Sequence, residues 1–405
     1  RTDEPVIRKR LLYISLTLNI GLLCFFKYFD FFIDSFLELS TSIGIQANVN
    51  SLNVILPVGI SFYTFQTLSY TIDIYRKKIE PVHDIVAFFS FVSFFPQLVA
   101  GPIERARNLL PQFISKRVFD YESIKDGLRL ILWGLFKKIV IADTSAKNVD
   151  YIFSNYDTFG GSVLFLGTIF FAFQIYGDFS GYSDIAIGSA RLFGIKLMRN
   201  FALPYFAKDV MEFWKRWHIS LSTWFRDYVY IPLGGNRNGV LNRYKYVLIT
   251  MSLAGLWHGA NLTFLIWGLI HAIMLIIEDS FSIFFKFKQD NSFFKLIKII
   301  FVFLCITFAL IVFRSDNLTD AIFFINKIFE FKNLFDGASV HKFYIFKGIL
   351  LISVVLFTDY FTNKSKIKEK FNNNNKIRFI SLLILALTIS FFGTFDEVPF
   401  IYFQF

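Results

Sequence analysis

Apolar residues along this chain gather in runs, separated by short polar stretches. Ten runs approach the roughly 20 residues that a bilayer span needs. They fall near 11–37, 52–74, 84–100, 124–142, 161–177, 246–258, 261–278, 296–313, 343–361 and 378–394. Two are irregular: the run at 84–100 is cut by Pro96 and Gly101-Pro102, and that at 246–258 is close to half a bilayer. In lipid such breaks survive only where protein or a watery cavity covers the backbone. The pattern therefore predicts an all-α polytopic bundle with re-entrant and interfacial helices, in one domain over 1–405 and without an internal repeat.

The interval 201–245 departs from this pattern as the most polar long stretch. Asp209 followed by Glu212 has the form of a capping box. Trp214, Trp217, Leu221, Trp224 and Tyr228 then recur at helical spacing, which predicts one amphipathic helix with its aromatics at the membrane interface. His218 falls on the face shared by Trp214 and Ser222. An anchoring helix without chemistry accounts for the periodicity equally well.

Composition sharpens the picture. Of 405 residues 55% are hydrophobic, 20% are aromatic with 56 Phe, and only 18% are charged. A soluble domain carries about a quarter charged residues, so a soluble reading is excluded. The excess of 42 Lys+Arg over 31 Asp+Glu lies in short clusters between apolar runs. That is the arrangement of cytoplasmic loops, and no basic arm interleaved with stacking aromatics points to nucleic acid. The stretch 362–378 and Arg8-Lys9-Arg10 are expected inside, and the tail 395–405, with Asp396 and Glu397 but no Lys or Arg, outside. Cys24 and Cys305 both lie within apolar runs, and no pair of histidines has zinc-site spacing, so neither a disulfide framework nor a metal is expected.

Candidate chemistry concentrates at His258, in Leu256-Trp257-His258-Gly259-Ala260-Asn261 between two apolar runs. An ionisable group at membrane depth is costly and is a functional hypothesis by default, and imidazole can act as a base near neutral pH. His271 reads as structural, and His83 and His341 as loop residues. Lys215, Arg216, Arg226 and Arg237 are candidates for holding phosphates, Arg237 in a Gly234-Gly235 loop whose backbone can adopt unusual conformations. Asp178 and Asp184 can shape a tunnel or pair with the basic residues of the interfacial helix, pairing being the reading preferred.

Five motifs then make a resemblance visible. Arg216-Trp217-His218-Ile219-Ser220-Leu221-Ser222-Thr223-Trp224-Phe225-Arg226-Asp227-Tyr228, Leu233-Gly234-Gly235-Asn236-Arg237 and Leu256-Trp257-His258-Gly259 resemble the membrane-bound O-acyltransferase family. Phe95-Pro96-Gln97-Leu98-Val99-Ala100-Gly101-Pro102-Ile103 and Asp178-Phe179-Ser180-Gly181-Tyr182-Ser183-Asp184 are similar to its bacterial branch for alginate or peptidoglycan O-acetylation. The resemblance implies a helix bundle around a transmembrane tunnel, with 201–261 as its catalytic core and Trp257 and Asn261 on the tunnel wall. It implies two histidines meeting there, His258 as general base with His218 assisting. It also implies acetyl-CoA as donor substrate with no permanently bound cofactor, a polysaccharide acceptor, a separate periplasmic acetyltransferase, and a multi-pass place in a bacterial inner membrane. Members usually begin with further apolar helices, so N-terminal helices are expected to be missing here. The tail Pro399-Phe400-Ile401-Tyr402-Phe403-Gln404-Phe405 resembles the C-terminal peptide of a small partner in D-alanylating relatives, which implies Tyr402 as an acyl relay. Alternatives are transfer of D-alanyl or another acyl group, or a non-enzymatic polysaccharide transporter. A transporter should show paired halves with corresponding broken helices, and none is visible.

Overall fold

A computed structural model describes residues 4–45, 56–284, 291–330, 342–362, 374–396 and 398–401, and every regular element among them is helical. Among the described residues five helices are long and apolar enough to cross a membrane. The first, α1 (Pro5–Ser42), is an outer helix. It runs antiparallel to α2 (Ile60–Tyr75): Arg8 donates to the Ile74 and Tyr75 carbonyls at one end. Farther along, Ser15 meets Thr71 at 3.1 Å and Thr67 donates to Asn19 at 2.7 Å. Such small polar contacts bind helices where lipid supplies no hydrophobic drive.

The irregular run at 84–100 is broken as expected. It divides into α3 (Ile85–Ser93) and α4 (Phe95–Leu98), with Pro96 inside the second. The Gln97 amide donates to the Phe91 carbonyl at 2.8 Å, satisfying a group that the interruption would otherwise leave bare. After α5 (Ala106–Ile114), α6 (Tyr121–Leu135) passes through a π-turn at Phe136–Ala142 into α7 (Asp143–Ser154).

The post of the bundle is α8 (Gly161–Leu192), mostly buried. It lies directly against α6 because a Cβ at Gly134 would sit 2.5 Å from the Gly181 carbonyl, and one at Gly127 2.7 Å from that of Gly188. Small residues seven apart on both helices thus permit backbone contact. Charge fixes the same pair of elements. Lys137 pairs with Asp184, while Lys138 bridges Asp178 at 2.9 Å and Asp143 at 2.8 Å. The acids are paired, but their partners come from the π-turn and not from the basic residues of 201–245.

The polar interval forms α9 (Val210–Arg216), α10 (Ile219–Phe225), a π-turn at Arg226–Tyr230 and the short α11 (Ile231–Leu233). Helix α12 (Val240–His258) begins six residues before the apolar run 246–258, so what reads as half a span is a 19-residue helix with a polar first turn. It packs antiparallel on α13 (Leu262–Phe284), with Arg243 paired to Asp279 at the far end. Helices α14 (Ser292–Arg314), α15 (Leu318–Ile328), α16 (Lys342–Thr362) and α17 (Asn375–Phe392) complete the bundle. The basic stretch 363–373, expected inside, lies outside the described residues.

Candidate active site

The single amphipathic helix expected from Asp209 onward does not form. Asp209 caps α9 as the capping box predicts, accepting from the Glu212 N–H at 2.6 Å. The return bond shifts by one residue, from the Lys208 N–H to the Glu212 carboxylate at 2.9 Å. Burial pushes the Glu212 carboxyl up, but that bond and the Arg216 guanidinium at 2.5 Å prevail and hold it below the usual range. The helix then stops at Arg216, because Trp217 is extended at φ −100° and ψ 128° and His218 is left-handed at φ 44° and ψ 53°. His218 therefore does not share a helical face with Trp214 and Ser222. The tryptophans are not an interfacial belt either. Trp217 and Trp224 are buried in the core, Trp224 stacked on Phe65 with ring centroids 3.8 Å apart.

A left-handed non-glycine residue costs about 1–2 kcal/mol, and local hydrogen bonds hold this one. The Asn200 carbonyl accepts from the Ile219 N–H at 2.9 Å. The Asn200 side-chain oxygen accepts from the Ser220 N–H at 3.2 Å and hydroxyl at 2.9 Å, and faces His218 Nδ1 at 3.1 Å. A backbone N–H can only donate, so the atom facing it is the amide oxygen. It follows that Nδ1 carries the proton of a neutral His218 and that Nε2 holds the lone pair. Among the described residues this Nε2 is buried with no hydrogen-bond partner. Asn200 is invisible to motif reading, since a lone Asn before Phe201 carries no spacing signal.

His258 is placed differently, as the last residue of α12 inside a box of aromatic rings. Its ring lies edge-on to Trp257, Trp267 and Phe313 with centroids 5.1, 5.2 and 5.4 Å away. Trp257 in turn lies 5.9 Å from the His218 ring, so the two candidate histidines flank one indole. His271, both ring nitrogens buried, packs on the other side of Trp267 at 4.7 Å. The end of α12 is capped from α1: Tyr28 donates to the Leu256 carbonyl at 2.6 Å, and Lys27 to those of Trp257 and His258 at 2.6 and 3.0 Å. Within the apolar run 11–37 Lys27 is the sole basic residue, set among Phe25, Phe26 and Phe29, and the rule that singles out His258 applies to it as well.

Two cavities adjoin at Lys27 and Leu56. The smaller, about 200 Å³, is lined by His258, Trp257 and the start of α2; the larger, about 540 Å³, by Asp30, Asn261, Thr263, Arg314 and Asp316. Asn261 also starts α13, accepting from the Thr263 N–H at 3.0 Å and donating to the Asp316 carbonyl at 2.9 Å. The four basic candidates line neither cavity. Arg216 pairs with Glu212 and Arg226 with Asp227, whereas Lys215 and Arg237 are exposed and make no ion pair among the described residues. The polar segment is tied to the bundle instead by Arg105 beside Asp227 at 3.8 Å and by the Tyr228 hydroxyl donating to Asp73 at 2.8 Å.

Tyr402 lies outside the described residues; of the four before it Pro399 is exposed, Val398 and Phe400 are half-buried, and the chain turns inward at its end. Ile401 is buried and its N–H donates to Asp178 at 2.7 Å. Phe400 packs against Tyr182 and Phe179 at 5.1 and 6.4 Å, and Phe179 meets the His218 ring edge-on at 4.6 Å. The tail thus enters the bundle beside one of the two histidines.

Sequence comparisons give the family of the chain. A probable alginate O-acetylase of Pseudomonas putida is 40% identical over 323 residues, 80% of this chain and 65% of that protein. A peptidoglycan O-acetyltransferase of Helicobacter pylori is 38% identical, covering 79% of this chain and 64% of its own length. A teichoic acid D-alanyltransferase of Bacillus subtilis is 30% identical over 65% of the chain and 70% of that protein. The chain thus spans less than two thirds of the length of the two relatives named for O-acetylation. Residues 75–314, which include both histidines, match the family as a whole, and the chain belongs to the membrane-bound O-acyltransferases.

Proposed function

We propose that this protein is an O-acetyltransferase of a bacterial inner membrane. It takes acetyl from acetyl-CoA on the cytoplasmic side and passes it outward for O-acetylation of an envelope or exported polysaccharide, through a periplasmic acetyltransferase. Acetyl is preferred to D-alanyl because the relatives named for O-acetylation are 40% and 38% identical, against 30% for the D-alanyltransferase. The observation that carries the reading is the pair His218 and His258 about Trp257, with His258 on a cavity wall. In the proposed reaction His258 takes the proton of an acceptor hydroxyl, whose oxygen attacks the thioester carbonyl. A C–O bond forms, the C–S bond breaks, and the proton passes from the imidazolium to the leaving thiolate. His218, with its Nε2 lone pair, assists the proton transfer.

Orientation supports donor and acceptor meeting from opposite sides. Lys27 lies 19 residues along α1 from Arg8, about 28 Å at 1.5 Å per residue. With the Arg8-Lys9-Arg10 end inside, the two cavities open outward, and Lys215, Arg216, Arg226 and Arg237 remain the groups proposed to meet the phosphates of coenzyme A on the inner side. Tyr402 is the proposed acceptor and relay, which the entry of residues 398–401 beside Phe179 favours. His258→Ala should abolish O-acetate on the envelope polymer while protein level and membrane insertion stay normal. Retained acetate would dismiss His258 as the base. Tyr402→Phe removes one oxygen and should also abolish transfer; wild-type acetylation would reduce the tail to an anchor.

A further inference from the structure

We infer that Lys27 is a positioning residue for the chemistry at His258, acting through the end of α12; the inference rests on the proposed role of His258. An α-helix leaves its last carbonyls without internal partners, and these ends carry partial negative charge. Here the last three residues of α12 are served consecutively by two neighbours on another helix. Tyr28 takes Leu256, and the Lys27 ammonium takes both Trp257 and His258. The next residue, Gly259, is extended at φ −163° and offers no side chain to the cap. The Cα of His258 is therefore held from outside its own helix, at a wall where the smaller cavity begins.

Two further observations separate this from ordinary helix packing. Lys27 lines both cavities, so the side chain that caps the helix end also borders open space beside His258. It also lies 5.9 Å from the Trp257 ring, the indole between the two histidines, in the range of a cation–π contact. Removing the charge loosens the backbone of His258 and the ring beside it together. Because misplacement of a base by about 1 Å can cost on the order of 100-fold in rate, the expected defect is in turnover and not in donor binding.

The test uses the full chain reconstituted in lipid nanodiscs, with acetyl-CoA as the probe. The readout is the rate of the single round of coenzyme A thiol release in which the proposed acceptor Tyr402 takes the acetyl group. Lys27→Met should lower the maximal rate by at least about tenfold, while the half-saturating acetyl-CoA concentration stays within about twofold. Lys27→Arg, which can still donate to both carbonyls, should recover to within about threefold of wild type. Tyr28→Phe, losing one hydrogen bond, should cost about two- to fivefold. His258→Ala runs in parallel. If it is inactive while Lys27→Met turns over normally, Lys27 has no positioning role and the reading of His258 stands. If His258→Ala itself turns over normally, both fall. A Lys27→Met defect confined to half-saturation, or one matched by loss of folded protein with unchanged activity per folded molecule, also overturns the inference.

Discussion

The two histidines beside Trp257 are held by opposite means. His218 sits in a strained backbone kink, fixed by hydrogen bonds from residues within twenty positions of it in sequence, with Asn200 at their centre. His258 sits at a regular helix end, fixed by ring packing and by donors some 230 residues away. A local polar net sets a tautomer and leaves one nitrogen defined as an acceptor. Packing and a cap from a remote helix set a position beside a cavity without naming a proton carrier. A base and its assistant need these two different kinds of control.

The comparison can be broken at either end. The largest effect is expected from Asn200→Leu, which is near the side chain's volume but removes the oxygen shared by His218, Ser220 N–H and Ser220 hydroxyl. Loss of one acceptor for three donors should reduce turnover by tenfold or more, read as thiol release in nanodiscs. Asn200→Asp, which keeps an oxygen at the site, should lose less. Equal activity in Asn200→Leu would show that something other than this net holds His218. A smaller effect is expected on the other side from Gly259→Ala. Its Cβ would overlap the Phe264 ring, itself 4.9 Å from Phe313 in the box around His258. A several-fold loss of turnover is expected, restored in part by Phe264→Leu, which returns space. If the pair of changes is no better than Gly259→Ala alone, the box is not what positions His258.

These contrasts also explain what could be read in the sequence. Apolar runs place the helices because a span must be apolar nearly all round, and the breaks at Pro96 and between the runs at 246–258 and 261–278 survive in the bundle. His258 was legible because an isolated imidazole between spans is rare. The kink at His218 was not. Spacings of three and four at Trp214, Trp217, Leu221 and Trp224 fit a continuous helix, yet two short helices joined by an extended Trp217 and a left-handed His218 preserve the same spacing. Periodicity counts positions and does not see a φ of 44°. The aromatic belt failed for a related reason: Trp at a membrane edge and Trp in a protein core give the same pattern, and only neighbours such as Phe65 decide between them. Asp178 and Asp184 call for cations, and the abundance of basic residues in 201–245 points there, whereas the fold brings Lys137 and Lys138 to them.

The cap on α12 has a consequence for synthesis. Lys27 and His258 are 231 positions apart. At about 5–20 residues per second, α1 leaves the ribosome on the order of ten to fifty seconds before its partner carbonyls exist. During that interval a lysine amid phenylalanines has no helix end to receive it, and its flexible stem must carry the charge to the lipid headgroups. The final docking of a nascent α12 would therefore recapture an ammonium from the bilayer surface, and a half-made chain has no aligned imidazole for the base role proposed for His258.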